Sequence, residues 1–432
     1  MILNFAESRL SNGIRVATAA MPSVESAAIG VWVGVGGRYE EKRLSGISHF
    51  IEHLLFKGTT SRSAKEISQA IEGRGGYFNA FTQEESTCYY ARIASQHAWS
   101  VFDILADMYL HPRLAAADIH KERGVIIEEI MMYKDQPQHL VQEMLGDLLW
   151  TNHPLGRTLV GTEENIRRVT RAEIAGFKQR RYVPGNTLVV FAGKVKHDAC
   201  VARVERLLGG VPRRPTPSYP PVSGKTGQGR EAVLAKDIEQ THIAMGVRLF
   251  GRHDRRRYAL KLMSIILGEN MSSRLFQVVR EKHGLAYSIH SSVQLFEETG
   301  VLDVSAGVDT DRTPKAVEVI LGELARLKEK RVGSSELRRA KDYAIGQLRI
   351  GLESTSNQMM WVGENLMSYR RFLQPQEVID RIESVTERDI HAVARDVLHR
   401  RRLSIALITP KGGEKHGEML KEKAEMLGSG DG

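Results

Sequence analysis

The stretch His49-Phe50-Ile51-Glu52-His53 has the clearest capacity for chemistry in this chain. On a helix, His49 and His53 are four residues apart and Glu52 is three from His49, so the three side chains share one face. Two imidazoles at that spacing can hold one zinc ion through neutral ring nitrogens. A carboxylate between them can take a proton from water activated at the metal. The order H-x-x-E-H reverses the commoner H-E-x-x-H. With 15 histidines in 432 residues, chance can also produce the pattern. The alternative is then a pair of solvent-side histidines on an amphipathic helix.

Zinc on two histidines needs another protein ligand and keeps one position open. Cys88 and Cys200 are the only cysteines, which gives neither a disulfide framework nor a cysteine metal site, so the missing ligand is sought among carboxylates. The segment from Glu122 to Ile130 offers Glu122, Glu128 and Glu129 on an expected helix. Glu122 and Glu129 are two turns apart and share a face, whereas Glu128 is rotated by about 100° from Glu129.

These residues need elements to hold them. Strands are expected around 13–20 and 27–35, helices at 45–57 and 63–73, and a strand pair at 76–82 and 86–94 with a hairpin-length gap between. The later chain repeats the order: strands at 231–237 and 241–249, helices at 255–267 and 273–282, strands at 286–293 and 300–307. Gly30-Val31 maps onto Gly246-Val247 at an offset of 216, and Ile166-x-x-Val169-Thr170-x-x-Glu173-Ile174 maps onto Ile382-x-x-Val385-Thr386-x-x-Asp389-Ile390 at the same offset. Such a shared shift indicates duplication. It sets Ser48–His53 on Ser264-Ile265-Ile266-Leu267-Gly268-Glu269, so both histidines and the glutamate between them are absent from the second copy. One zinc ion per chain follows.

The expected fold class is α+β, two homologous two-layer domains, each a mainly antiparallel sheet packed with helices. Five prolines between 212 and 221, followed by glycines to 229, mark a linker. The expected domains are 1–211 and 230–410, with the linker at 212–229 and a charged tail at 411–432. The N-terminus has no basic segment followed by an apolar run, so a cytoplasmic protein is the default, and a removed leader stays compatible with the numbering. No run of about 18 apolar residues suggests a membrane span. The net charge is +9, but the clusters Arg255–Arg257 and Arg400–Arg402 are short and lack interleaved aromatics. They read as solvated surface and not as a nucleic-acid site.

The chain resembles the pitrilysin or insulinase family of zinc peptidases, in which H-x-x-E-H is followed about 76 residues later by a glutamate ligand. Glu129 stands 76 residues after His53. The resemblance implies an inverzincin metalloendopeptidase on the LuxS/processing-peptidase-like metallohydrolase fold. It implies His49, His53 and Glu129 as zinc ligands, Glu52 as general base and Glu122 as an outer carboxylate. Gly75-Gly76-Tyr77-Phe78-Asn79-Ala80-Phe81-Thr82 resembles the family's active-site edge strand, with Asn79, Ala80 and Thr82 binding an extended peptide by strand addition. Arg280 and Tyr287 match the family's arginine–tyrosine pair, suitable donors to a carbonyl oxygen that becomes an oxyanion.

The length and two-half layout are similar to the mitochondrial processing peptidase subunits, the beta subunit above all, and to their bacterial relatives. That likeness implies hydrolysis of short or unfolded peptides in a chamber between subunits. It also implies a homodimer in which Arg280 and Tyr287 act across the interface. Two other readings are a non-catalytic core subunit and an active subunit that needs a non-identical partner. Glu84 and Glu85 beside the edge strand could attract basic peptides or could simply be hairpin-turn residues.

Overall fold

The computed structural model describes residues 2–222, 229–413 and 416–428. The linker residues 223–228 and the tail residues 414–415 and 429–432 lie outside the described residues. The chain forms two compact units. The first is built on a six-stranded sheet of β1 (Phe5–Arg9), β2 (Arg15–Ala20), β3 (Ser26–Val33), β4 (Tyr77–Thr82), β5 (Thr87–Ala94) and β6 (Thr187–Gly193), in the order β1-β2-β6-β3-β5-β4. The second is built on β7 (Glu231–Lys236), β8 (Thr241–Phe250), β9 (Ala286–Leu295), β10 (Thr299–Val308) and β11 (Leu403–Pro410), in the order β7-β11-β8-β10-β9. Each sheet is mainly antiparallel, with one parallel pairing apiece, β2 on β6 and β7 on β11. Both are packed with helices. The α+β class expected from the sequence holds, but the two layers do not. Helix Thr355–Tyr369 covers Leu188 and Val190 of β6, while Trp99 and Phe102 of helix Ala98–Leu110 meet Phe191 on the opposite face, so helices flank the first sheet on both sides.

The duplication extends to strand register. The starts of β2 and β7, residues 15 and 231, differ by 216, as do the starts of β6 and β11, residues 187 and 403. Apart from β1, the two strand orders are identical. The matched Thr170-x-x-Glu173 and Thr386-x-x-Asp389 are both capping boxes, each threonine side chain accepting from the third helical N–H and each acid returning to the threonine N–H. A repeated helix start thus explains that part of the repeated sequence.

The compact units are not simply the two sequence halves. Residues 132–156 belong to the second unit and residues 348–376 to the first. The helix Pro137–Leu149 therefore packs on β8 and β11, and the helix Thr355–Tyr369 packs on β2, β3 and β6. Shifted by 216, one of these helices falls on the other, so the two copies have exchanged equivalent helices. The matched glycines of the repeat sit under them. A Cβ on Gly30 of β3 would meet Met359 Sδ at 2.4 Å, and one on Gly246 of β8 would meet Leu145 and Leu149 at 3.0 Å. Each central strand gives up a side chain so that a helix can lie close.

Helix Thr355–Tyr369 buries Met359, Val362 and Leu366 against Trp32, Cys88, Leu188 and Val190. Its own Gly363 faces the Trp32 indole, where an added Cβ would come within 2.2 Å of Cε2. Overpacking of this kind costs about 1–3 kcal/mol. Gly363→Ala is therefore expected to lower the urea midpoint by that amount of stability. An unchanged midpoint would show that the indole can move aside.

Candidate active site

The helix Ile47–Leu55 buries Ile47, Phe50, Ile51 and Leu54 and turns His49, Glu52 and His53 to its less buried face. The helix Ala116–Asp135 presents Glu122 and Glu129 from one side, and Glu128 is exposed. Ligand atoms of His49, His53 and Glu129 all lie within 4.8 Å of one another, the one such grouping among the described residues. Glu129 Oε2 is 3.7 Å from His49 Nε2 and 3.6 Å from His53 Nε2. Donors about 2.1 Å from one tetrahedral ion stand about 3.4 Å apart, so these three side chains fit a zinc ion with little movement.

The protonation states suit a metal site. Burial, aided by the neighbouring His53, pushes the His49 imidazole down to about 3, which keeps it neutral with a lone pair to offer. His53 Nδ1 lies 3.2 Å from Glu122 Oε2. Donation from Nδ1 to that carboxylate leaves Nε2 as the free lone pair toward Glu129, the outer contact that orients a ligating histidine. Glu122 is 1% exposed, and its second oxygen is 2.9 Å from Lys57 Nζ. Lys57 follows the motif by four residues and is part of the site for this reason. Nothing in its sequence context marks it out.

Glu52 points to the same centre. Burial raises its carboxyl above the usual glutamate value, while a hydrogen bond from Thr82 opposes the rise. Thr82 Oγ1 donates to Glu52 Oε2 at 2.5 Å. The hydroxyl proton of Thr82, a residue expected to bind peptide, is thus engaged with the Glu52 carboxylate.

Strand β4 is one of the two edge strands of the first sheet, paired on one side with β5. It could accept an added strand. Ala80 N–H now donates to Asn79 Oδ1 at 2.8 Å, and the Asn79 amide donates to Tyr77 Oη at 2.7 Å. A peptide using the Ala80 donor has to displace Asn79. Glu85, in the turn after β4, is ion-paired with the fully buried Arg38 at 2.5 Å, and the Tyr219 ring lies 4.0 Å from the Arg38 guanidinium carbon. The turn reading therefore holds for Glu85, and the linker at Tyr219 is docked on the first unit.

Arg280 and Tyr287 belong to the second unit. Arg280 lies in a π-helical segment, Phe276–Lys282, with its guanidinium carbon 4.8 Å from the Phe276 ring centre and 5.8 Å from that of Tyr287. Tyr287 is the second residue of β9 and is 78% exposed. The pair is adjacent, and an aromatic stack orients its cation. Where the second copy aligns with the motif, Glu269 pairs with Lys261. Among the described residues no histidine cluster stands there.

Residues 15–163 match the family model described as insulinase, peptidase family M16, and residues 168–343 match the model described as the peptidase M16 inactive domain. The chain is 39% identical over 411 residues to an uncharacterized zinc protease of Mycobacterium tuberculosis, covering 94% of this chain and 93% of that one.

The chain belongs to the M16 (insulinase) peptidase family.

The uncharacterized zinc protease YmxG of Bacillus subtilis is also similar to this M16 chain, at 35% identity over 407 residues, covering 93% of this chain and 97% of that one. In fold, the M16 chain matches a crystal structure of a protease from Helicobacter pylori with a TM-score of 0.88, at 22% identity, covering 95% of this chain and 100% of that one. It also matches a peptidase M16 inactive domain from Pseudomonas fluorescens with a TM-score of 0.86, at 18% identity and 95% and 99% coverage. The family resemblance and fold class read from the sequence are therefore correct. No described helix is long and apolar enough to cross a membrane.

Proposed function

We propose that the chain is a zinc-dependent endopeptidase acting on short or unfolded peptides. The convergence of His49 Nε2, His53 Nε2 and Glu129 Oε2 beside a half-buried Glu52 carries this reading. The names of its relatives as zinc proteases support it. His49, His53 and Glu129 hold one zinc ion per chain, and Glu122 fixes the His53 ring. Bound there, zinc supplies Lewis acidity toward a water molecule and the scissile carbonyl. Glu52 accepts the proton from the attacking water and returns it to the leaving amine, a role suited to a carboxyl raised by burial. Thr82 keeps the Glu52 carboxylate aimed. The β4 edge holds the peptide extended through main-chain hydrogen bonds, which bind without reading sequence.

Arg280 and Tyr287 donate to the scissile carbonyl oxygen in this proposal, reaching the site of a second copy in a homodimer that encloses the peptide between subunits. The exposure of Tyr287 and the stacking that orients Arg280 support such a role. The match of residues 168–343 to an inactive domain fits a second copy without metal ligands. Chelation is expected to abolish cleavage of a quenched, unstructured peptide, and added zinc to restore it. Cleavage that persists in the chelated protein would sink the proposal.

A further inference from the structure

The helix Ile47–Leu55 begins without a capping side chain of its own. Its N-cap is Gly46, at φ +94°. A Cβ there would stand 2.6 Å from the Val160 carbonyl oxygen, and one on Gly161 would stand 2.4 Å from that of Ser45. The two backbones cross too closely for the serine, threonine, aspartate or asparagine that usually caps a helix. The first N–H groups of the helix still need an acceptor, and it comes from six residues upstream. Glu40 Oε2 accepts from Gly46 N–H at 2.7 Å, and Oε1 accepts from Ser48 N–H at 2.8 Å. The residue is buried. Arg157 donates to its main-chain oxygen at 3.0 Å and attracts its carboxylate. Burial pushes the Glu40 carboxyl up to about 7, against the pull of the two N–H donors.

We propose that Glu40 is a positioning residue, a two-point clamp that fixes both the axial position and the rotation of the helix carrying His49 and Glu52. The inference rests on the active-site reading of those residues. A single cap contact would fix one point of the helix and leave rotation about it. Two oxygens on two N–H groups remove that freedom one residue before His49. The donors that must converge are 3.6 and 3.7 Å apart, and a misplacement of about 1 Å can cost roughly 10²-fold in rate.

Glu40→Gln in the full chain tests the clamp, because an amide offers one oxygen and turns an N–H₂ toward the other helix donor. The expected result is a kcat lower by about 10- to 100-fold on a quenched peptide, with KM within about twofold. Zinc affinity, read by competition with a chromophoric chelator, should fall by about tenfold or more. Wild-type kcat and zinc affinity in the folded variant would overturn the proposal. So would a smaller folded fraction whose folded molecules keep both values. Should Glu40→Gln fail to fold, Arg157→Lys loosens the same clamp more gently, and a loss of zinc affinity in it supports the clamp where an unchanged affinity overturns it. The zinc arm also separates two failures. A wild-type chain that binds no zinc contradicts the active-site reading, whereas equal zinc binding by wild type and variant contradicts the clamp.

Discussion

Glu52→Gln is expected to abolish peptide hydrolysis while leaving zinc bound and the fold intact. Proton transfer by a positioned group contributes about 10²- to 10⁴-fold, and an amide cannot take the proton, so kcat should fall by that factor. Glutamine keeps the shape of the side chain, and its oxygen can still accept from the Thr82 hydroxyl that now donates to Oε2. Burial already disfavours the charged form of Glu52, so the neutral replacement should be no less stable. A quenched-peptide assay run beside metal analysis and a urea melt separates these effects. An undiminished rate in a zinc-loaded Gln variant would remove Glu52 from the mechanism.

Glu129→Gln is expected to lose zinc, whereas Glu128→Gln should not. Four-ligand zinc sites bind with about 10–16 kcal/mol, so one ligand is worth about 3 kcal/mol, roughly a hundredfold in affinity. Glu129 Oε2 faces both imidazoles, while Glu128, its immediate neighbour, is exposed. The pair of variants isolates ligation from any general effect of removing a helix carboxylate. Equal zinc affinities in the two would remove Glu129 from the ligand set.

Much of the site could be read from spacing alone. Histidines four apart and glutamates seven apart are fixed to one helix face by the pitch of the helix, so only the meeting of two faces was left to the fold. The repeat at 216 was equally legible, because glycines under a close-packed helix and threonine–acid capping boxes are local demands that leave local marks. The exchange of helices Pro137–Leu149 and Thr355–Tyr369 left no such mark. An amphipathic pattern says that a helix buries one face but not which sheet covers it.

Side-chain partnerships across long separations were hidden for the same reason. Thr82 reads as one residue of an edge strand, and its bond to Glu52 exists because β4 passes beside the motif helix. Glu40 reads as one more charged residue after Tyr39, and only the crossing of Gly46 and Gly161 explains why a carboxylate is buried there. Strand β1 leaves little mark in the sequence because Phe5-Ala6-Glu7-Ser8-Arg9 lies at a sheet edge, where one ladder and mixed polarity suffice.

Zinc titration of the metal-free chain, with bound metal and quenched-peptide turnover read on the same samples, tests the central claim most directly. The expected result is turnover that rises in proportion to bound zinc and levels off at one ion per chain. Turnover in the metal-free chain, or full zinc occupancy without turnover, would contradict it.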